Sequence, residues 1–547
     1  MPSEQLDALF EELMDELWRQ DPILATEVGV HAYDHLLPSI DKDSRISQRR
    51  ALERYHGRLG QFKEDKGLTK DQKIDLKLVL NMLETHFYEE DKLNHPERSP
   101  TFLPNQAMGS VFLFMIREFA PLRMRLEHML FRLQKMPRMV EGAKANMRLG
   151  GESIPRLWVD MAAEQIESGE VLFTKAIPVY AGQVPDIATD ISEQAVRAWE
   201  SLSGYKQFLI DEIASKANGS FAAGREVFDH MLKHRYMLPY DAAELKQIGE
   251  RIIAETKRDL DSVATSIDGT RKWFEIAETL KGNHPLAEKI KDWYAEESAK
   301  LRKFIVENKI ADVPEGETIS IIDTPPFLCS TIPYAAYMQP APFEKAQVGS
   351  FYVTPIDTDL PPKEQDEQLE GHNRFKAVLT AIHEGYPGHH LQLVCANRVP
   401  SKVRRLFGDT VFVEGWALYC EEMMRERGYL TDQRSALFQL KAQLLRACRV
   451  VIDVGLHTGG MTFDQAVDML VNVARLERVS ATAEVKRYTE SPTQPMSYTM
   501  GKLLIKELRD EYHKKMGPDY RLKDFHNKLL SYGSLPLKIL RDEILSP

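Results

Sequence analysis

The segment His383-Glu384-Gly385-Tyr386-Pro387-Gly388-His389-His390 decides how the rest of the chain is read. It follows a run of helical texture, Phe375-Lys376-Ala377-Val378-Leu379-Thr380-Ala381-Ile382, and precedes a second apolar run, Leu391-Gln392-Leu393-Val394. A His-Glu pair closing an apolar helix, with two more His within two turns, concentrates metal-grade ligands. Imidazole is the commonest nitrogen ligand for zinc, and an adjacent Glu can hold the water that zinc acidifies.

The spacing is not that of the usual zinc helix, His-Glu-x-x-His, whose two His lie at i and i+4. Here position i+4 is Pro387. On an unbroken helix His390 returns to the face of His383, but ~10 Å further along the axis. Two nitrogens each ~2.0 Å from one zinc cannot span that gap. Pro387 has no N–H and its ring clashes with the preceding turn, so the spacing predicts a kink or restart there. Gly388 permits the backbone angles of a bulge. The expectation is a zinc helix with a three-residue insertion, which brings His383 and His390 together and turns His389 elsewhere. A two-residue insertion would exchange the two His. His372, eleven residues before His383 and ~16 Å away on a regular helix, is excluded as a co-ligand.

The third ligand is expected to be a carboxylate on a nearby helix. Glu414, in Phe412-Val413-Glu414-Gly415-Trp416-Ala417-Leu418-Tyr419-Cys420-Glu421, is the candidate. Glu421, two turns on along the same face, is placed to orient a ligand His. The set predicts one zinc ion per chain.

His-Glu-x-x-Pro-Gly-His-His followed by Glu-Gly-Trp-Ala resembles the signature of the bacterial family grouped as "domain of unknown function 885". Further similarity lies in Pro22-Ile23-Leu24-Ala25-Thr26-Glu27-Val28-Gly29, in Asp453-Val454-Gly455-Leu456-His457 and in Pro492-Thr493-Gln494-Pro495-Met496-Ser497-Tyr498. The resemblance runs most of the chain. That family looks like a distant branch of the zinc peptidases that use two His, a downstream Glu and a catalytic Glu, similar in style to angiotensin-converting enzyme and carboxypeptidase Taq. The resemblance implies a peptidase and a helical fold with a channel that admits short or unfolded peptides. It implies no particular substrate.

Composition sets wider bounds. The 547 residues are 43% hydrophobic and 28% charged, as in a soluble globular protein. A net charge of -11 leaves no basic excess to meet phosphates, which argues against general nucleic-acid binding. Cys329, Cys395, Cys420 and Cys448 form no Cys-x-x-Cys pair and read as reduced core thiols, with a supporting role near the metal open for Cys420. Met1-Pro2-Ser3-Glu4-Gln5-Leu6-Asp7 has neither basic n-region nor lipobox, and apolar stretches such as Val111-Phe112-Leu113-Phe114-Met115-Ile116 are too short to span a bilayer. The expectation is a cytoplasmic protein with no membrane partner. Oligomeric state is not legible.

The first three hundred residues read as successive helices. Leu6, Leu9, Phe10, Leu13 and Leu17 form one stripe, as do Leu76, Val79, Leu80, Leu83 and Phe87, and Leu122, Leu126, Met129, Leu130 and Leu133. Ser192 is read as an N-cap, and breaks are expected at prolines including Pro22, Pro137, Pro155 and Pro185. Near residue 314 the texture changes. Thr318-Ile319-Ser320-Ile321-Ile322-Asp323, closed by Pro325 and Pro326, and Gly349-Ser350-Phe351-Tyr352-Val353-Thr354-Pro355 read as strands. Phe351-Tyr352-Val353 is the candidate edge for binding a substrate backbone, with a hairpin that merely covers the core as the other reading. Helical pattern returns from about 363.

The fold class expected is therefore mainly α: a large two-lobed helical metallopeptidase-like fold around a channel, with a small β-sheet beside the metal helix. The chain forms one catalytic unit, 1–547, with an N-terminal helical lobe 1–313, a β segment 314–360 and a metal-site lobe 361–547.

The chemistry expected is zinc-dependent hydrolysis of short peptides. His383, His390 and Glu414 hold the metal, and Glu384 is the general base. Tyr498 or His457 stabilises the oxyanion. His389, Tyr352, Glu421 and Arg487 support substrate or ligands, and Arg446, Arg449 or Arg487 could clamp a substrate carboxylate. Carboxypeptidase, dipeptidase and aminopeptidase modes stay open. So do a metal-dependent amidase on a non-peptide substrate and an inactive metal-binding scaffold, although an intact Glu384 weighs against the last.

Overall fold

The computed structural model describes residues 2–546 apart from 326, 327, 330 and 331. The expected closing residue Pro326 thus lies outside the described residues. The chain is mainly α with one small sheet. It divides into two compact units, Met1–Ala223 and Gly224–Pro547. Residues 224–313, read from sequence as part of the N-terminal lobe, pack instead within the unit that carries the metal motif. The reason is the helix Ala242–Ile267, whose apolar face lies along the helix Gln433–His457. Gly249 permits this closeness, since a Cβ there would meet the side chains of Val450 and Val451 at 3.0 Å.

In the first unit the apolar stripes do what their period predicts. Leu6, Leu9, Phe10 and Leu13 are buried on the helix Pro2–Gln20, and Leu76, Val79, Leu80 and Leu83 on Lys70–Leu93. Two boundary expectations fail. Pro137 lies inside the helix Leu122–Gly150, where Leu133, Met136, Val140 and Ala143 continue one buried face through it. That packing outweighs the single backbone bond a proline removes. Ser192 is not a cap: its helix starts at Pro185, and its hydroxyl donates back to the Ala188 carbonyl at 2.7 Å.

The second unit holds the sheet: β1 (Thr318–Asp323), β2 (Ala335–Met338) and β3 (Val348–Val353), in the order β1-β3-β2. β1 runs parallel to β3 with Thr318 opposite Val348, and β2 runs antiparallel to it with Tyr337 opposite Phe351. β3 is therefore central, not an edge, and Tyr352 is buried within it. A strand paired on both sides has no free ladder to offer a substrate. The edge beside the metal motif is β2, which packs on the helix Arg374–Glu384. At four residues between Pro333 and Pro340, β2 is too short to show as a period. Among the described residues no helix is long and apolar enough to cross a membrane.

Candidate metal centre

The motif is a broken helix, not a kinked one. Asn373 caps the first helix, its side-chain oxygen accepting from the Lys376 N–H at 3.0 Å, and Phe375, Val378, Leu379 and Ile382 bury one face. The helix stops at Glu384, and a second helix begins at His389. Gly388 closes the turn between them. Its N–H donates to the Ile382 carbonyl at 3.0 Å, and a Cβ there would lie 2.0 Å from the His383 carbonyl oxygen. Trp416 Nε1–H (2.8 Å) and the Cys420 thiol (3.6 Å) both donate to the Pro387 carbonyl, so the helix Thr410–Glu426 holds the turn from outside. Cys420 thus has the supporting role left open above.

This break decides which His joins the cluster. His383 Nε2 lies 3.8 Å, and His389 Nε2 3.4 Å, from Glu414 Oε2. The ligand atoms of His383, His389 and Glu414 all fall within 4.8 Å of one another. Tetrahedral zinc with bonds of ~2.0–2.1 Å sets its ligand atoms about 3.3 Å apart, so the trio fits with small adjustment. His390 is not part of it, against the sequence expectation. Its Nε2 pairs with Glu317 Oε2, its Nδ1 bonds the Tyr337 hydroxyl at 2.9 Å, and its side chain is fully buried. Because the chain restarts at His389, that residue points to Glu414 and stays partly exposed. His390, one helical step of ~100° further, turns into the core.

Glu421 does what its spacing suggests. Its Oε1 accepts from His383 Nδ1 at 2.9 Å, which leaves the lone pair of Nε2 for the cluster. Burial works against a charged His383, but hydrogen bonds to Glu414 and Glu421 and the charge of Glu384 outweigh it and lift the imidazole to about 9. Burial likewise pushes the Glu414 carboxyl up, yet the bonds to His383 and His389 hold it well below the usual carboxylate range. The site thus draws positive charge onto its ligands. Glu384 is half-buried beside His383 and makes no side-chain hydrogen bond among the described residues, which leaves its carboxylate available.

Tyr498 joins this site through a helix crossing. It opens the helix Ser497–Met516, which meets Thr410–Glu426 at two glycines. A Cβ on Gly415 would lie 2.4 Å from Gly501 Cα, and one on Gly501 would lie 1.8 Å from the Val411 carbonyl oxygen. Glu414 precedes the first glycine by one residue, and Tyr498 precedes the second by three. Burial, then the nearby Glu414 charge, raise the Tyr498 phenol, and the Arg449 guanidinium sits 4.9 Å from its ring centroid. The two late motifs also meet. Asp453 Oδ1 accepts from the Thr493 N–H at 3.0 Å and Oδ2 from the Met496 N–H at 3.1 Å, which fixes the loop that delivers Tyr498.

The other candidates have structural posts. His457 is fully buried, bonds the Tyr488 carbonyl through Nε2 at 3.0 Å and stacks on Phe228, so it is not the oxyanion donor. His372 caps the helix Pro362–Gly371 and stands 3.4 Å from the Tyr294 hydroxyl, outside the cluster. Arg487 is exposed and bonds Glu484 and Gln494 at 3.0 Å each. Glu317, Tyr337 and Tyr386, which surround His390, went unnoticed in the sequence. The available signals were Glu317, directly ahead of the apolar strand β1, and Tyr386, inside the motif itself.

A family model described as "Bacterial protein of unknown function (DUF885)" matches residues 22–544. No curated protein matches the chain. Two solved structures share the fold over nearly its whole length. One is a candidate lipoprotein of unknown function from Shewanella oneidensis, 24% identical, with a TM-score of 0.82 over 99% of this chain and 100% of that one. The other is a candidate lipoprotein from Colwellia psychrerythraea, 16% identical, with a TM-score of 0.86 over 99% of this chain and 98% of that one.

Proposed function

This chain belongs to the DUF885 family of bacterial proteins of unknown function, and from the site it carries we propose a zinc-dependent hydrolase that cleaves amide bonds in short peptides. The observation that carries the reading is the convergence of His383, His389 and Glu414 beside a carboxylate, Glu384, that has no hydrogen-bonded task among the described residues. A donor set of two imidazoles and one carboxylate suits zinc, and His383, His389 and Glu414 would hold it. Bound there, zinc supplies Lewis acidity.

The remaining work falls to the chain. Glu421 keeps His383 in the tautomer whose Nε2 faces the cluster. The Glu384 carboxylate takes a proton from the attacking water and returns it to the leaving nitrogen. Tyr498 keeps its phenolic proton at neutral pH, because burial and Glu414 raise it, and donates to the developing oxyanion. β2, paired only with β3 among the described residues, offers its outer ladder to an extended substrate, the task first given to Phe351–Val353.

The cytoplasm is part of this proposal. The four cysteines are unpaired, as in a reducing compartment. The lipoprotein names of the two solved structures favour the envelope instead, and fractionation of the host cell decides.

Glu384→Gln tests the mechanism. Gln keeps the shape of Glu and cannot take a proton. Zinc content and melting temperature should stay unchanged, while release of fragments from a short-peptide library, read by mass spectrometry, slows at least ~100-fold. Turnover within a few-fold of wild type would remove Glu384 as the base.

A further inference from the structure

On the helix Arg374–Glu384, every residue from Phe375 to Glu384 is buried except Lys376, Thr380 and Glu384. These three lie at i, i+4 and i+8, one row along the face left open. Glu384, at one end, adjoins the His383 cluster. Lys376, at the other, lies ~10 Å along the axis from His383, the reach of about three extended residues.

Lys376 has no counter-ion among the described residues. Its Nζ sits 4.1 Å from the Tyr334 ring centroid, and it makes no ion pair and no side-chain hydrogen bond among the described residues. Its charged neighbours are cations. Burial first, then Lys441, Arg446 and Lys281, push its ammonium down to about 8. The nearby acids are directed elsewhere: Glu278 bonds Lys281 at 2.9 Å, and Glu477 and Glu370 act on Lys281 and Tyr334.

Arg446 is under-used as well. Its Nη1 donates to the Ala442 carbonyl at 3.4 Å and Nη2 pairs loosely with Glu421 at 3.8 Å, but Nε is buried without a partner among the described residues, and the guanidinium stands 5.9 Å from the Tyr498 ring. The other arginines nearby are committed: Arg449 to the Tyr488 hydroxyl and Glu484, and Arg487 to Glu484 and Gln494. With Glu421 shared between His383 and Arg446, the cations of this half-buried place outnumber their anions, which is unfavourable, and an anion from outside relieves them.

We propose that Lys376, on the partly covered face of the helix Arg374–Glu384, and Arg446, on the helix Gln433–His457 packed against it, form a carboxylate-binding subsite that anchors an anionic group of the substrate. That the carboxylate belongs to a peptide rests on the peptidase reading; that the subsite takes a carboxylate does not. A free C-terminus and an acidic side chain present the same chemistry, and the distance from the cluster then sets where along the peptide the reacting amide falls.

The test uses the zinc-loaded full chain carrying Glu384→Gln, so that binding is read without turnover. Calorimetry compares acetyl-Ala-Ala-Ala as the free acid, the same peptide as its C-terminal amide, and acetyl-Ala-Glu-Ala amide. At least one carboxylate-bearing peptide should bind about tenfold or more tighter than the plain amide. Which one does so identifies the source. Adding Lys376→Met should erase that advantage while the plain amide binds as before, and Lys376→Arg should restore part of it. Equal binding of all three peptides, or an advantage that survives Lys376→Met, overturns the subsite.

A second measurement separates this from the peptide reading. Lysines are methylated with 13C-formaldehyde, and the Lys376 signal is assigned by its loss in Lys376→Met. Succinate should shift that signal saturably. A succinate shift without peptide binding keeps the subsite and sinks the peptide. No succinate shift overturns the subsite whatever the peptides do.

Discussion

Two His–Glu clusters stand side by side here, built on adjacent residues. His389 faces Glu414 and His383, is partly exposed, and one of its ring nitrogens, Nδ1, has no hydrogen bond among the described residues. His390 faces Glu317 and Tyr337 in the core, and both its nitrogens are bonded. Their residue types are nearly the same, yet one cluster is open and the other closed. In the closed one both ring nitrogens of His390 and both oxygens of Glu317 are hydrogen-bonded, which is how a buried polar group is made affordable. In the open one the carboxylate and two imidazoles aim at a common point. A ligand site is thus recognised by what its atoms leave unmatched, more than by which residues it contains.

The sharpest way to break this contrast is to remove one His at a time. His389→Ala should lower zinc from about one per chain to near zero after dialysis, and His390→Gln should keep it, as read by elemental analysis. The opposite result would exchange the two clusters' roles. Next in size is Glu317→Ala. Taking one partner from a buried ionic network costs about 3–5 kcal/mol, because His390 and Tyr386 lose their shared acceptor. Chemical denaturation should show that loss, while the folded fraction still binds zinc. If zinc is lost in step with Glu317, the closed cluster belongs to the metal site after all.

Glu421→Gln is a smaller change. It keeps an oxygen for His383 Nδ1 but not the charge. Zinc affinity should fall about tenfold, the low end for such supporting carboxylates, as read by chelator competition.

The pH dependence is subtler still. In the metal-free protein His383 is raised to about 9, above its unfolded value of about 6.5. The stability from that proton is complete below about pH 6.5 and is lost as pH rises through about 9. Metal-free protein should therefore melt lower at pH 9.5 than at pH 7. Zinc-loaded protein, with Nε2 occupied, should not show that loss, and loading at pH 7 should release a proton, read by calorimetry in two buffers.

Much of this was legible in the chain. Helical stripes such as Leu76 to Leu83 need only local periodicity, and His383, Glu384, Glu414 and Glu421 declare themselves by type and spacing. The choice between His389 and His390 did not, because it depends on whether Pro387 bends a helix or ends it. That outcome is set by Trp416 and Cys420, which grip the Pro387 carbonyl from another helix. The central place of β3 was hidden for a similar reason, since it depends on a four-residue partner strand. Long-range pairings decide such points, and they leave little mark on the segment being read.

The crossing at Gly415 and Gly501 bears on anyone who would equip this scaffold for a metal or reaction of choice. There two backbones touch with no side chain between them, so the interval between Glu414 and Tyr498 is gauged by main-chain thickness alone. No choice of rotamer or bulkier neighbour can narrow it further, and any Cβ at either glycine widens it for ligand and phenol at once. A redesign that keeps both glycines inherits a fixed ruler. One that replaces either must rebuild the site from both helices outward.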